Sequence, residues 1–204
     1  MIGIINYGSG NIYAIANIYK RLDIAFSIVA SKDELTACDK LVLPGVGAFD
    51  ETMKLIKSNG MKDTLDTLVL SQKIPIIGVC VGMQILGDSS EEGTEKGFGW
   101  IAGSVNKLEA SQIKHKPCLP HLGWNNILLK SEHTLLQNID FEKGFYFLHN
   151  YYFKAARAEN VLATATYGID FPCVIHNDNV YGVQFHPEKS HDNGVELFRN
   201  FSNL

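Results

Sequence analysis

Cys80 lies in the run I-P-I-I-G-V-C-V-G-M-Q (residues 74–84), where a continuous apolar stretch ends in Gly-x-Cys-x-Gly and a helical pattern follows. Apolar on both faces, residues 74–79 read as a central strand, which puts the cysteine at the apex of a sharp strand-to-helix turn. Such a turn needs glycine two residues to either side, because side chains there would collide. A helix N-terminus at the apex favours thiolate over thiol and leaves the backbone N–H of Val81 free to hydrogen-bond an oxyanion. The plain alternative is a buried, inert cysteine in a glycine-rich turn.

A thiol is mostly protonated at neutral pH and needs a base. V-Y-G-V-Q-F-H-P-E-K-S (residues 180–190) supplies one: an apolar strand delivers His186 at its carboxyl end and Pro187 stops it. Glu188 lies two residues on, so an extended backbone would project it to the same side as His186, where it can hold one tautomer and stabilise the imidazolium. Read alone, His186 is a solvent-capped strand end. Read with Cys80 it completes a Cys, His, Glu triad.

The elements around these residues alternate. Strands are expected at 2–6, 24–29, 40–43 and 74–79, with Pro44 and Gly45 closing the third. Helices are expected at 11–22, 49–58 and 61–70, and a Ser31/Glu34 capping box opens a short one. Further strands are expected at 145–148, 161–166 and 180–185, and a last helix at about 193–201. The expectation is an α/β fold: a doubly wound, mostly parallel sheet with helices on both faces and an added antiparallel section, one domain over residues 1–204. Open sheets of this kind build sites outside the carboxyl ends of their strands, where Cys80 and His186 both fall.

Composition excludes several functions. The chain has 204 residues, 46% apolar and 20% charged, with a net charge of −4 and no basic run, which leaves no footprint for nucleic acid or anionic lipid. Cys38, Cys80, Cys118 and Cys173 are widely spaced, without Cys-x-x-Cys or H-E-x-x-H. Neither a zinc site nor a disulfide framework is expected, and the expected compartment is the cytoplasm. The opening residues are too short for a membrane span or a signal-peptide core.

G-V-C-V-G-M-Q together with F-H-P-E-K-S resembles the class I (triad) glutamine amidotransferases along the whole chain. N-Y-G-S-G-N near the start, L-P-G-V-G-A-F at 43–49, P-H-L-G-W-N at 120–125 and F-L-H-N-Y-Y at 147–152 resemble, more narrowly, the glutaminase subunits of imidazole glycerol phosphate synthases. The resemblance implies Cys80 as nucleophile, His186 as general base and acid, and Glu188 as its orienter. It implies an oxyanion loop of Pro44, Gly45 and Val46, with the N–H groups of Gly47 and Val81 forming the hole. It implies glutamine held by Gln84, His149, Asn150 and Tyr151, and a partner interface that includes His121, Trp124 and Lys189. Without the resemblance, Trp124 reads as core and His121 as surface. Val81, Asn6 and Asn150 replace the usual leucine, aspartate and serine.

The reaction implied is hydrolysis of glutamine to glutamate and ammonia, with no metal or organic cofactor. The ammonia would pass to a (β/α)8-barrel cyclase in a heterodimer, which makes imidazole glycerol phosphate and aminoimidazole carboxamide ribotide in histidine biosynthesis. Three alternatives stand beside it. One is a paralogue supplying ammonia for amidination of a nucleotide-linked sugar, towards which the tail F-H-P-E-K-S-H leans. Another is a non-catalytic regulatory homologue, against which the complete triad argues. The third is a hydrolase of another amide or of a γ-glutamyl peptide.

Overall fold

The structure, a computed structural model, describes residues 1–113 and 118–204. The first half runs β1 (Ile2–Ile5), α1 (Ile12–Arg21), β2 (Phe26–Val29), α2 (Lys32–Leu35), β3 (Lys40–Gly45), α3 (Phe49–Ser58), α4 (Met61–Asp66), β4 (Ile76–Cys80) and α5 (Val81–Gln84). The second half runs β5 (Ser89–Ser90), β6 (Gly103–Lys107), β7 (His121–Asn125), β8 (Leu128–Leu129), β9 (Phe145–His149), β10 (Tyr151–Ala155), β11 (Val161–Tyr167), β12 (Ile169–Asn177), β13 (Val180–Val183) and α6 (His191–Asn203).

The main sheet has eight strands in the order β2-β1-β3-β4-β13-β12-β11-β8. The strands from β2 to β13 pair in parallel, and β12, β11 and β8 add the antiparallel section. β1, β4 and β13 are buried at every residue, as strands covered on both faces must be. The chain leaves β1 towards β2 but leaves β3 towards β4. Right-handed crossovers therefore put α1 on one face and α3 with α4 on the other. α1 packs with α6, and α2 and α3 pack with α4. The Ser31/Glu34 capping box forms as expected. Two small sheets, β10-β6-β5 and the ribbon β7-β9, lie outside the main one.

Four local departures have physical causes. Pro44 and Gly45 belong to β3 rather than ending it, paired with Val79 and Cys80. Leu41 donates its N–H to the Pro75 carbonyl just ahead of β4, so by alternation Pro44 turns its missing donor towards β1, whose pairing ends at Val42. The helix expected over 61–70 is α-helical only to Asp66 and widens into a π turn at Thr67–Ser71, where Asn179 Nδ2 takes the Val69 carbonyl. α5 is a single turn, so its dipole offers Cys80 little. The backbone after His186 is a 3-10 turn, Pro187–Lys189, and is not extended.

Candidate active site

β4 ends at Cys80, whose backbone is held at φ +56 and ψ −111, a conformation costly for a residue with a side chain. Neighbouring backbones enforce it. A Cβ on Gly45 would come within 2.4 Å of Gly82 N, so the Pro44–Gly47 loop lies directly on the cysteine turn. Cys80, Val81, Val46, Gly47 and His186 line one pocket.

The loop is tethered from the other side by the turn after β1. Tyr7 Oη donates to the Pro44 carbonyl at 2.7 Å, and Ser9 Oγ donates to the Val46 carbonyl at 2.6 Å. A peptide's carbonyl and N–H point oppositely, so the Gly47 N–H is directed away from Ser9. Gly47 sits at φ +112, where glycine alone is unstrained.

His186 follows β13, the neighbour of β4, and its N–H donates to the Tyr146 carbonyl at 2.8 Å. Its Nδ1 lies 2.8 Å from Glu188 Oε1, with both side chains buried. The sequence expectation paired the right residues through the wrong backbone. The 3-10 turn brings Glu188 round, and Ser190 locks it, with Oγ donating to the His186 carbonyl and accepting from Tyr146 N. Burial lowers the His186 pKa, but the neighbouring Cys80 and Glu188 outweigh it and push it up to about 10. Burial works against the Glu188 carboxylate, yet His186 and Asn11 hold its carboxyl below the ordinary range. His186 is thus a proton donor poised beside the sulfur.

Gln84, His149, Asn150 and Tyr151 line the same pocket. His149 does not offer its ring to a ligand, because both nitrogens are engaged inside the protein. Nδ1 lies 2.8 Å from the Tyr151 carbonyl and Nε2 lies 2.9 Å from His121 Nδ1. A carbonyl only accepts, so His149 carries its proton on Nδ1 and His121 donates to Nε2. His121 Nε2 then accepts from Asn125 Nδ2 at 3.2 Å. Burial pushes His121 down to about 4. Burial, with the charge of His121, pushes His149 to about 3, so both stay neutral.

His121 is therefore not a surface residue. It is 3% exposed, stacked between Phe147 and Tyr167, because β7 alternates and His121 falls on its inner face. Trp124, which composition alone would place in the core, is 48% exposed and stacks on His191. Lys189 lines the pocket, and its ammonium sits 5.4 Å over the Tyr146 ring.

Three polar residues of the site were given no role by the sequence reading. Asn11 Nδ2 donates to Glu188 Oε1 at 2.8 Å. Glu92 lines the pocket and accepts the Phe49 N–H at 2.8 Å, just past the Pro44–Gly47 loop. Gln184 lies 3.8 Å from the Cys80 sulfur. The N-Y-G-S-G-N run was the signal for the first. Among the described residues no group of three or more His, Cys, Asp or Glu could hold a metal ion, and no helix is long and apolar enough to cross a membrane.

The family profile described as "Glutamine amidotransferase class-I" matches residues 3–203. The chain is 48% identical to the imidazole glycerol phosphate synthase subunit HisH of Leptospira borgpetersenii over 204 residues, all of both chains. It is 45% identical to the protein of that name from Bdellovibrio bacteriovorus, again over all of both. The fold is similar to a glutamine amidotransferase crystal structure at TM-score 0.76 and 20% identity, covering 99% of this chain and 97% of that one. It is also similar to a chain of PurLQS from Thermotoga maritima at TM-score 0.75 and 17% identity, with the same coverage.

Proposed function

The chain belongs to the class I glutamine amidotransferases, and from that membership we propose that it is the glutaminase subunit of an imidazole glycerol phosphate synthase. The observation that carries the chemistry is His186, buried between Cys80 and Glu188 and holding its proton far above the usual histidine range. The pathway reading is supported by full-length relatives of that name at 45% and 48% identity.

In the proposed reaction the Cys80 thiolate attacks the side-chain amide carbon of glutamine. The carbonyl π electrons move onto oxygen, where the N–H groups of Val81 and Gly47 hold them. As the intermediate collapses, the C–N bond breaks and His186 protonates the leaving nitrogen, so ammonia departs from a glutamyl thioester. Water then adds to the thioester and gives its proton to His186, and the C–S bond breaks to release glutamate. Glu188 keeps the imidazole oriented and supports its charged form. Gln84, Asn150 and Tyr151 hold the substrate, with His149 behind them. Glu92, with one oxygen on Phe49, has the other for the substrate's ammonium. Pro44, Gly45 and Val46 set the hole.

Ammonia released to water becomes ammonium, a poor nucleophile, so the product is of use only to a docked acceptor. The proposed partner is a (β/α)8-barrel cyclase in a heterodimer, met through the β7-β9 ribbon and Lys189. The proposed compartment is the cytoplasm, in keeping with four free cysteines. Cys80→Ala should abolish glutamate release while the complex still makes imidazole glycerol phosphate from added ammonium salt. Glutamate release persisting in that variant would sink the nucleophile assignment, and failure of the complex to use ammonium would sink the partner.

A further inference from the structure

The Cys80 sulfur has a polar neighbour outside the triad. Gln184, between β13 and His186, is completely buried, and its Nε2 lies 3.8 Å from Cys80 Sγ. Its Oε1 accepts from Gln84 Nε2 at 3.2 Å. Which end of this carboxamide faces the sulfur follows from its neighbours. The Tyr151 carbonyl can only accept, and it takes one hydrogen of Gln84 Nε2 at 2.9 Å. The other hydrogen of that NH2 meets Gln184, which must answer with oxygen. The NH2 end of Gln184 is left against the sulfur. The carbonyl that fixes this order is itself pinned from its far side by His149 Nδ1.

A buried carboxamide is costly where an apolar side chain would fill the same space. This one donates to the atom that changes charge. An N–H facing a thiol is a weak contact, whereas facing a thiolate it is charge-assisted and about twice as strong. A donor that strengthens when sulfur takes up charge favours the attacking thiolate, and it lowers the barrier of the step in which C–S breaks and charge returns to sulfur.

We propose that Gln184 is a catalytic residue of glutamine hydrolysis, its Nε2–H holding the Cys80 thiolate before attack and receiving it again when the thioester is cleaved. The inference rests on Cys80 being the nucleophile. In the first half-reaction the sulfur pair forms the C–S bond, and the contact relaxes as sulfur loses its charge. In the second, C–O forms, C–S breaks, and the pair returns to sulfur opposite the same N–H. Other titratable groups facing the sulfur are His186, with Glu188 and His149 behind it, and Tyr7.

Gln184→Met keeps the side chain's length and removes the donor. With the barrel partner bound, kcat for glutamine should fall about ten- to hundredfold with KM little changed, as for a lost hydrogen bond to a charged group. Alkylation of Cys80 by iodoacetamide at neutral pH should slow about tenfold, since the thiolate is the form that reacts. Cys80→Ala is assayed in parallel. If it keeps glutaminase activity, the nucleophile reading fails. If it is inactive while Gln184→Met retains both wild-type kcat and the wild-type alkylation rate, only the role of Gln184 fails. A second readout needs no change at position 184. The Gln184 side-chain amide resonance of the full wild-type chain should move with pH and lose that pH dependence in Cys80→Ala. A resonance that is flat with pH, or that still titrates in Cys80→Ala, overturns the proposal even if Gln184→Met does not fold.

Discussion

Gly78 and Gly82 face each other across the cysteine turn: a Cβ on Gly78 would come within 2.4 Å of the Gly82 carbonyl oxygen. Gly82 is closed in on its other side as well, where a Cβ would lie 2.0 Å from the Leu43 carbonyl oxygen. Backbone, unlike a flexible side chain, has no cheap way to give. Gly82→Ala should therefore push the α5 turn from β3, cost about 1–3 kcal/mol or more as overpacking does, and lower glutaminase activity at least about a hundredfold by displacing the adjoining Cys80. Urea denaturation and steady-state glutamate release check it. Wild-type values on both would remove the steric account of the motif.

The His186–Glu188 pair gives stability a sign on the alkaline side. The folded-state pKa of His186 is raised from 6.5 to about 10, so the folded chain holds that proton more tightly than the unfolded one. The contribution is complete below about pH 6.5 and is lost as pH rises through about 10. Glu188 is lowered from 4.5, so its contribution is present above that value and is lost as pH falls through the lower folded value. Glu188→Gln removes one cause of the raised histidine. Its unfolding free energy should fall less steeply than wild type between pH 7 and 10, and its kcat should drop about a hundredfold or more. Parallel stability slopes for the two proteins would refute the linkage.

How much of this was legible in sequence depended on the range of the interaction. The buried strands and the cysteine turn were, because Ile76–Cys80 and its glycines are contiguous and their constraint is local. Pro44 read as a strand end, since its fit depends on where β1 stops pairing. Asn11 and Gln184 went unread because their partners lie 177 and 104 positions away, where no spacing rule reaches. His121 was misplaced because its resemblance carried a motif's role but not which face of β7 each residue takes.

Acid should act on a different pair. His121 and His149 are held at about 4 and about 3, against 6.5 in an unfolded chain, so the unfolded state binds more protons between those values. Their neutral-state stability is complete above about pH 6.5 and erodes as pH falls towards 4. His121→Asn keeps a donor for His149 and does not titrate. It should start less stable at pH 7 and lose less than wild type on going to pH 4.5, as measured by urea midpoints. An equal loss in both proteins would put the acid sensitivity elsewhere.

Asn11 shares the Glu188 oxygen that orients His186, each donor at 2.8 Å. Removing it leaves the buried carboxylate with a single partner. Asn11→Leu should lower kcat about tenfold, the usual worth of a hydrogen bond to a charged group, and leave glutamine KM nearly unchanged. A matched rise in KM instead would mean that Asn11 acts on the substrate and not on the triad.

The exposed face of the ribbon makes the last prediction. Leu122 and Leu148 are opposite each other in register, 60% and 37% exposed, and Trp124 beside them is 48% exposed. Strand alternation puts His121 and His149 on the other face, inside, so one ribbon offers apolar side chains outward and fixes the Tyr151 carbonyl inward. A half-exposed tryptophan among leucines is the usual centre of an interface. Trp124→Ala should weaken association with the proposed barrel partner by about 2 kcal/mol, roughly thirtyfold in Kd by calorimetry. The isolated chain should melt within about 2 °C of wild type, since a surface truncation costs little. Unchanged Kd would move the docking face off this ribbon, and a large fall in melting temperature would make Trp124 a structural residue whose stack on His191 matters more than its exposure.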